Sequence, residues 1–177
     1  MACILTSNQG KGCLNAVAGV KKAWIYKHSD VNQASSTIVA GEVTVLTLVA
    51  APSSATPLFA YEFFSETALG EATSTTSKAN GTTFWEDTVS FPIAQLNTAT
   101  QLELQSLVTM ESGVILEDNN GLYWIYGWAN GLTNNGTKAS TGTALGDANG
   151  YTVALSGSEP VMPYNILLAT FTALVNV

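Results

Sequence analysis

Alternation between apolar and polar positions is the main pattern in this chain, and it predicts β-strands along most of its length. The first predicted strand covers residues 19–27. Its residues Val20, Trp24 and Tyr26 share one parity, whereas Lys21 and Lys27 fall on the other. The further predicted strands are rich in β-branched or aromatic residues and are bounded by turn residues. They are 36–39, 41–48, 58–64, 82–91, 114–118, 122–128, 151–156 and 165–175. The Asn-Asn-Gly turn at 119–121 joins two of them and is the strongest hairpin signal in the chain.

Helical periodicity is found in one segment, from about residue 98 to 110. Thr98 and Gln101 fit a capping box with Thr98 as the N-cap. Leu104, Leu107 and Val108 then follow at helical spacing. One helix among many strands predicts a mainly β fold, a β-sandwich or barrel with one flanking α-helix, formed as a single β-rich domain over residues 1–177.

Two segments lack a clear period. Residues 1–19 are rich in Gly and Asn and are predicted to form an irregular N-terminal arm. Residues 65–83 are mostly Ser, Thr, Ala, Glu and Gly, which predicts an exposed loop. Long loops in compact domains are usually functional or disordered, and in an assembling protein such a loop often becomes ordered against a neighbour. Residues 65–83 are therefore a candidate inter-subunit loop.

The composition favours a protein that is covered by copies of itself. Charged residues make up 11% of the chain, compared with about 25% in a typical soluble domain. A surface poor in charge has few like charges to keep copies apart. A secreted β protein could show a similar composition, and the composition alone does not separate the two.

The distribution of charge disfavours specific nucleic-acid binding. The formal net charge is −7, with six lysines and no arginine, whereas binding to phosphates requires a cationic surface. Most lysines lie in the first 27 residues and the rest of the chain is acidic. This asymmetry could match subunits head to tail, although a solvated basic end explains it equally well. The candidate interface residues are Ser65, Glu66, Glu71, Lys78, Lys21 and Lys22.

No recognisable catalytic constellation is found, and we expect the protein not to be an enzyme. The single histidine, His28, lies in a predicted turn and is interpreted as an ordinary surface residue. The acidic pairs 86–87 and 117–118 cannot each form a dyad, because neighbours on a strand point to opposite faces. A dyad with one member from each pair stays open. Residues 117–121 resemble a calcium loop only faintly and are interpreted as a turn.

We expect no cofactor and no metal. Cys3 and Cys13 are too few for a zinc site. No export signal and no membrane-spanning stretch is predicted, so the two cysteines are interpreted as reduced thiols.

Aromatic residues along the predicted strands allow a carbohydrate-binding interpretation, since exposed rings can stack on sugars. Packing in a core or at a subunit interface is the commoner role of such residues. The residues concerned are Trp24, Tyr61, Phe63, Trp85, Tyr123, Trp124, Tyr126 and Trp128.

Several strand-and-turn segments resemble those of a known family. They are 2–3, 19–21, 84–86, 114–127, 130–132, 142–151 and 156–160. Together they are similar to the tail tube (major tail) proteins of tailed bacteriophages, in particular small versions from phages of Bacteroidetes. The resemblance implies hexameric rings whose inner strands close into a continuous β-barrel, with the rings stacked. It also implies a long hairpin or loop that reaches the next ring, for which 65–83 is the candidate.

The resemblance further implies an acidic lumen through which DNA passes without specific binding. The partners would be copies of the chain and other virion proteins, with no membrane. The location would be the phage tail in the virion, after assembly in the host cytoplasm. The alternatives are another virion component (a head decoration, head-completion or tail terminator protein) or a carbohydrate-binding β-sandwich.

Overall fold

The computed structural model describes residues 16–49, 58–64 and 66–175. They form two packed β-sheets and two helices, which confirms the mainly β class. In spatial order the larger sheet contains β2 (Thr37–Val39), β3 (Glu42–Val45), β12 (Tyr164–Ile166), β8 (Tyr123–Tyr126), β7 (Ser112–Asp118), β1 (Val20–Lys27) and β4 (Phe59–Glu62). The smaller sheet contains β10 (Lys138–Ser140), β11 (Gly150–Glu159), β6 (Thr82–Ala94) and β5 (Leu69–Ser77), and β9 (Thr133–Asn134) also pairs with β11. The helices are α1 (Thr98–Thr109) and α2 (Leu168–Val175).

The larger sheet is the middle layer of the fold. Its strand β1 is buried on both faces, because Ala23 and Ile25 join the core beneath the smaller sheet and α1. Trp24 and Tyr26 join a second core on the opposite face. A strand between two cores has apolar residues at both parities.

Helix α1 begins one residue earlier than the capping box predicts. Asn97 is the N-cap, and its Oδ1 accepts a hydrogen bond from the Thr100 N–H at 2.7 Å. Thr98 is therefore the first helical residue and not the cap, because the Asn side chain at 97 already satisfies the free N–H. Leu104 and Leu107 are buried against the core as expected, whereas Val108 is exposed.

The prediction of a loop at 65–83 is wrong. Residue 65 lies outside the described residues, but residues 69–77 form β5, which pairs with β6 along its whole length from Leu69–Ser90 to Ser77–Thr82. Thr is a good strand former. The strand was not recognised because the outer part of this hairpin is exposed on both faces. Its residues therefore need not alternate between apolar and polar.

The prediction of a strand over 165–175 is also wrong beyond residue 166. Strand β12 ends at Ile166 and α2 follows, so the fold has a second helix. Apolar residues occur all around α2 and its only polar residues are Thr170 and Thr172, so its sequence does not reveal a period. Phe171 holds the helix in place by stacking on Tyr123 at 4.3 Å between ring centroids and by an edge contact with Trp24 at 4.7 Å.

The hairpin predicted at 119–121 is confirmed, since β7 and β8 pair antiparallel on either side of it. Gly121 has φ of 80°, a conformation that favours glycine. The Asp118 Oδ1 accepts the N–H groups of Asn120 at 2.8 Å and Leu122 at 2.9 Å. Burial alone would raise the pKa of Asp118, but these hydrogen bonds and those from side chains outweigh it and hold the pKa below its ordinary value. The Asp118 carboxylate thus stabilises the turn predicted at 117–121, because its Oδ1 accepts two backbone N–H groups of that turn.

Candidate assembly surface

The outward face of the smaller sheet is a broad, polar wall. Its inward face carries buried residues such as Val89, Phe91 and Val153, so residues of the opposite parity point outward. These outward residues are mostly Thr and Ser. The charged ones are Glu71, Glu86 and Lys138.

Both long edges of this sheet lack a strand partner among the described residues. The strand order is β10, β11, β6, β5, with every neighbouring pair antiparallel. Strand β5 therefore offers a nine-residue edge. The edge beyond β11 is formed by two short strands, β10 with three residues and β9 with two. Unpaired edges are ready to bind another strand.

The hairpin formed by β5 and β6 extends well beyond the core. Near its turn, Ser74 and Thr76 of β5 are exposed although they have the inward parity, and so is Thr83 of β6. The Thr76 and Thr83 hydroxyls hydrogen-bond across the hairpin at 3.2 Å. Lys78 lies in the turn and is exposed.

A groove of about 640 Å³ lies at the other end of the same sheet. It is lined by the end of β6 at residues 92–94, by the start of β11, and by Phe63 and Phe64. Phe64 is 73% exposed, a large value for an aromatic side chain. The hairpin turn and the groove thus lie at opposite ends of β6.

The candidate interface residues do not form one cluster. Lys21 and Lys22 lie on β1 of the larger sheet, where they pair with Glu117 (3.7 Å) and Glu62 respectively. The hydrogen bond and charge of Glu62 raise the pKa of Lys22.

The other candidates belong to the hairpin and to the segment that leads into it. Glu71 points outward from β5, Lys78 lies in the hairpin turn, and Glu66 lies between β4 and β5 with φ of 63°. Ser65 is outside the described residues. Whether these residues contact a neighbouring copy stays a prediction.

A pair of buried carboxylates, which sequence reasoning missed, joins the two sheets. The Oδ2 of Asp87 accepts the Gly127 N–H at 3.1 Å. The two oxygens of Glu159 accept the N–H groups of Ala129 at 2.8 Å and Asn130 at 2.9 Å. We call Asp87, Glu159 and the loop 127–130 the carboxylate clamp. The available signal was parity, because Asp87 and Glu159 lie at the buried parity of β6 and β11.

The clamp is sealed from solvent and leaves one oxygen unsatisfied. Asp87 is 1% exposed and Glu159 is 2% exposed. The Asp87 Oδ1 has no hydrogen-bond partner among the described residues. Burial, and to a smaller extent the negative charge of Glu159, raise the pKa of Asp87 to about 6 despite the hydrogen bond from Gly127. The structure brings Asp87 close to Glu159. The acidic dyad left open by the sequence would instead have combined one member of the pair 86–87 with one member of the pair 117–118.

His28 supports the same loop from the other side. It is half-buried and not an open surface residue, because its Nε2 lies 3.0 Å from the Trp128 carbonyl oxygen. The Gln33 side chain donates to the Trp128 carbonyl oxygen at 2.5 Å. The contacts of His28 therefore hold the clamp loop in place.

The tryptophans do not form an exposed platform. Trp24 and Trp128 are buried, and Trp85 and Trp124 are half-buried. The exposed aromatic side chains in the described part of the chain are Phe59 and Phe64. This arrangement favours the packing interpretation of the aromatic residues over the sugar-binding one.

Comparison with known proteins adds no relative: no family model, no curated protein and no solved structure matches the chain. Within the described residues no helix is long and apolar enough to cross a membrane, and no group of three or more His, Cys, Asp or Glu side chains is placed to hold a metal ion.

Proposed function

We propose that this chain is a structural subunit that closes into rings, and that the rings stack into a bacteriophage tail tube that conducts DNA. The observation that carries the proposal is the smaller sheet, with two open edges and a polar outward face among the described residues. The family resemblance of the sequence supports the specific choice of a tail tube. Hexameric rings are part of the proposal on that ground alone.

The polarity of the edge strands suits ring closure. Because each neighbouring pair in the smaller sheet is antiparallel, β10 and β5 run in opposite directions. Copies related by rotation about an axis along the strands keep the same polarity. The β10 edge of one copy would therefore meet the β5 edge of the next in antiparallel pairing, which is the geometry of a closed barrel.

The outward face of the smaller sheet suits a wall past which DNA moves. Hydroxyl side chains dominate it, and Glu71 and Glu86 outnumber Lys138. A weakly negative wall repels phosphates and offers no cationic site for binding. Closing the sheet with this face inward would give a lumen that does not retain DNA.

The projecting hairpin suits contact between rings. The turn at 78–81 and the groove beside Phe64 lie at opposite ends of β6. When rings stack head to tail, each turn faces the groove end of the next ring. The hairpin takes the place of the loop that the sequence predicted there.

The proposal is tested by electron microscopy of the purified protein. Rings and tubes are expected, and a stable monomer at high concentration would refute self-assembly. Single rings that do not stack, or caps on other virion parts, would favour the alternative of another virion component. Binding of glycans by a monomer would favour the carbohydrate-binding alternative.

Hydrogen–deuterium exchange tests the edges directly. The backbone amides of β5 and β10 that point away from β6 and β11 should exchange quickly in dissociated protein and become protected in the assembly. The edge strand β2 of the larger sheet serves as the internal control and should stay unchanged. Equal protection of β2 and β5 would show that the ring contact lies elsewhere.

A shortened hairpin separates stacking from ring closure. Ser74 and Trp85 are paired residues, so replacing residues 75–84 by Asn-Gly closes the hairpin at that pair with a favourable turn. This variant should form rings but no tubes. Tubes of normal length would show that the hairpin tip does not join rings.

A further inference from the structure

A second open edge lies in the larger sheet, away from the proposed ring contact. Strand β4 ends that sheet and pairs on one side only, with β1, among the described residues. Ala60 of β4 is exposed, and Phe59 is 39% exposed. A four-residue edge with an exposed aromatic side chain is a site where another strand could add.

Helix α1 turns this edge into a groove. Two adjoining depressions of about 520 and 460 Å³ share the lining residues Phe59, Ala99 and Glu103. Leu102, on the same side of the helix, is 61% exposed. The groove therefore has a backbone edge on one wall and, on the other, a helix face that combines Ala99 and Leu102 with the polar residues Thr100, Glu103 and Ser106. A groove with a free backbone edge is the arrangement that binds an extended segment by strand addition.

The part of the chain before residue 16 supplies a matching segment. Residues 2–7 (Ala-Cys-Ile-Leu-Thr-Ser) are uncharged, and the first four of them are apolar at both parities, as a strand covered on two sides requires. Residues 50–57, also outside the described ranges, contain two prolines that cannot donate to a ladder.

Charge agrees with this choice of occupant. Residues 1–15 carry Lys11 and no acidic residue, whereas the groove lining includes Glu103 and no basic residue. Glu103 lines the same depression as Tyr61 of the edge strand. Burial, and then the charge of Glu103, raise the pKa of Tyr61.

The described chain begins at the larger sheet, near the end of β4 at Glu62. Asn120 holds Val17 through two hydrogen bonds of 2.9 Å, and Lys22 at the start of β1 pairs with Glu62 at the end of β4. Residues 8–15 can span up to about 25 Å, enough to leave the subunit. If residues 2–7 added to β4 of their own subunit and then led to Ala16, they would lie parallel to β4. Parallel pairing is slightly weaker than antiparallel pairing. A segment that binds β4 of a neighbouring copy can take either direction.

We propose that residues 2–7 of one copy bind as an added strand in the groove between β4 and α1 of a neighbouring copy. The inference rests on the self-association in the proposed function but uses a different surface. It would tie neighbouring subunits together by an exchanged arm in addition to the edge contact.

Cys3 provides a direct reporter of this arm. In a Cys13→Ser background, Ala60→Cys places a thiol on the groove edge, and Ala99→Cys places one on its helix wall. Oxidation of assembled protein should give covalently linked dimers and higher multimers for at least one of them on non-reducing gels. Ala139→Cys, on the exposed β10 edge, is the matched control and should give only background linkage, as should either groove variant with Cys3→Ser.

The outcomes separate this inference from the proposed function. Tubes without linkage from Cys3 to either groove position, together with wild-type assembly of the aspartate variant described below, would overturn the inference and leave the tube intact. A disulfide formed within one chain would overturn it as well, because the arm would then be folded back. Linked multimers that never form rings would support the arm exchange and refute the ring.

A second measurement covers the case in which a thiol cannot reach its partner. The double variant Ile4→Asp, Leu5→Asp should raise the protein concentration needed for assembly by about tenfold or more, because two apolar side chains lose their burial. Thr6→Ser is the control and should leave it unchanged. If the aspartate variant assembles at the wild-type concentration and no linkage forms, the arm is not part of the contact.

Discussion

Asp87→Asn tests the energetics of the carboxylate clamp. The substitution keeps the size of the side chain and an oxygen for the Gly127 N–H, but it removes one of two buried negative charges. The pKa of Asp87 is raised from 3.8 to about 6, first by burial and then by the charge of Glu159. A raised pKa means that the folded protein holds the proton more tightly than the unfolded chain.

The sign of the pH dependence follows from the direction of this change in pKa. The stabilisation from the Asp87 proton is complete below the unfolded pKa of 3.8 and is lost as the pH rises through about 6. A tenfold difference in proton affinity between the folded and unfolded states corresponds to about 1.4 kcal/mol, so the loss is of the order of 3 kcal/mol. Asn cannot ionise, so the variant should be more stable than the wild type by about 2–3 kcal/mol at neutral to alkaline pH. The difference should shrink between about pH 6 and the unfolded pKa of 3.8, and the two proteins should be nearly equal below 3.8.

Urea unfolding followed by tryptophan fluorescence, repeated across this pH range, measures the difference. A variant that is equally destabilised at every pH would refute the account, because that result indicates lost hydrogen bonding and no buried charge. Asp147→Asn is the matched control. The Asp147 carboxylate is exposed, and hydrogen bonds from Ala144 and Thr143 lower its pKa. Its contribution should therefore be present at neutral pH and be lost as the pH falls, the opposite direction to Asp87.

Three further substitutions test the hairpin turn, the second helix and the outward wall. Gly121→Val should lower the thermal midpoint, because the φ of 80° strains a β-branched residue although the site has open space; Gly146→Ala, also in open space, should leave it unchanged. Phe171→Ala should cost about 3 kcal/mol in urea unfolding through its lost aromatic contacts, and a change below the experimental error would mean that α2 is not anchored there. The double variant Glu71→Lys, Glu86→Lys should make assemblies bind DNA in low salt and release it in high salt in a filter-binding assay; no binding would place this face away from the lumen.

Sequence reasoning predicted strands that carry apolar residues on at least one face and failed where apolar and polar positions are not distinguished. The 119–121 hairpin and the helix near residue 98 have local signals, a glycine turn and a cap, and both were found with small errors in their bounds. The β5 hairpin strand has no apolar face, and α2 has apolar residues around its whole circumference. A period cannot be read when all positions are alike, and tertiary contacts such as those of Phe171 then decide between strand and helix.

The carboxylate clamp was missed for a different reason. Asp87 was considered only with its neighbour in sequence, whereas its partners Gly127 and Glu159 come from distant segments. Parity along β6 places Asp87 on the buried face, so the anomaly was visible in the sequence. The identity of its partners depends on how the two sheets meet, which no local pattern encodes.

The strand count of the smaller sheet has a consequence for the size of the proposed ring. Its main path contains an even number of strands, β10, β11, β6 and β5, so alternation of direction is preserved when any number of copies joins. Strand direction therefore imposes no rule on how many subunits close the circle. That number must come from curvature, set by the twist between strands and the stagger of their register. Changes that alter twist near the β5 and β10 edges are accordingly expected to produce tubes of a different diameter without preventing assembly.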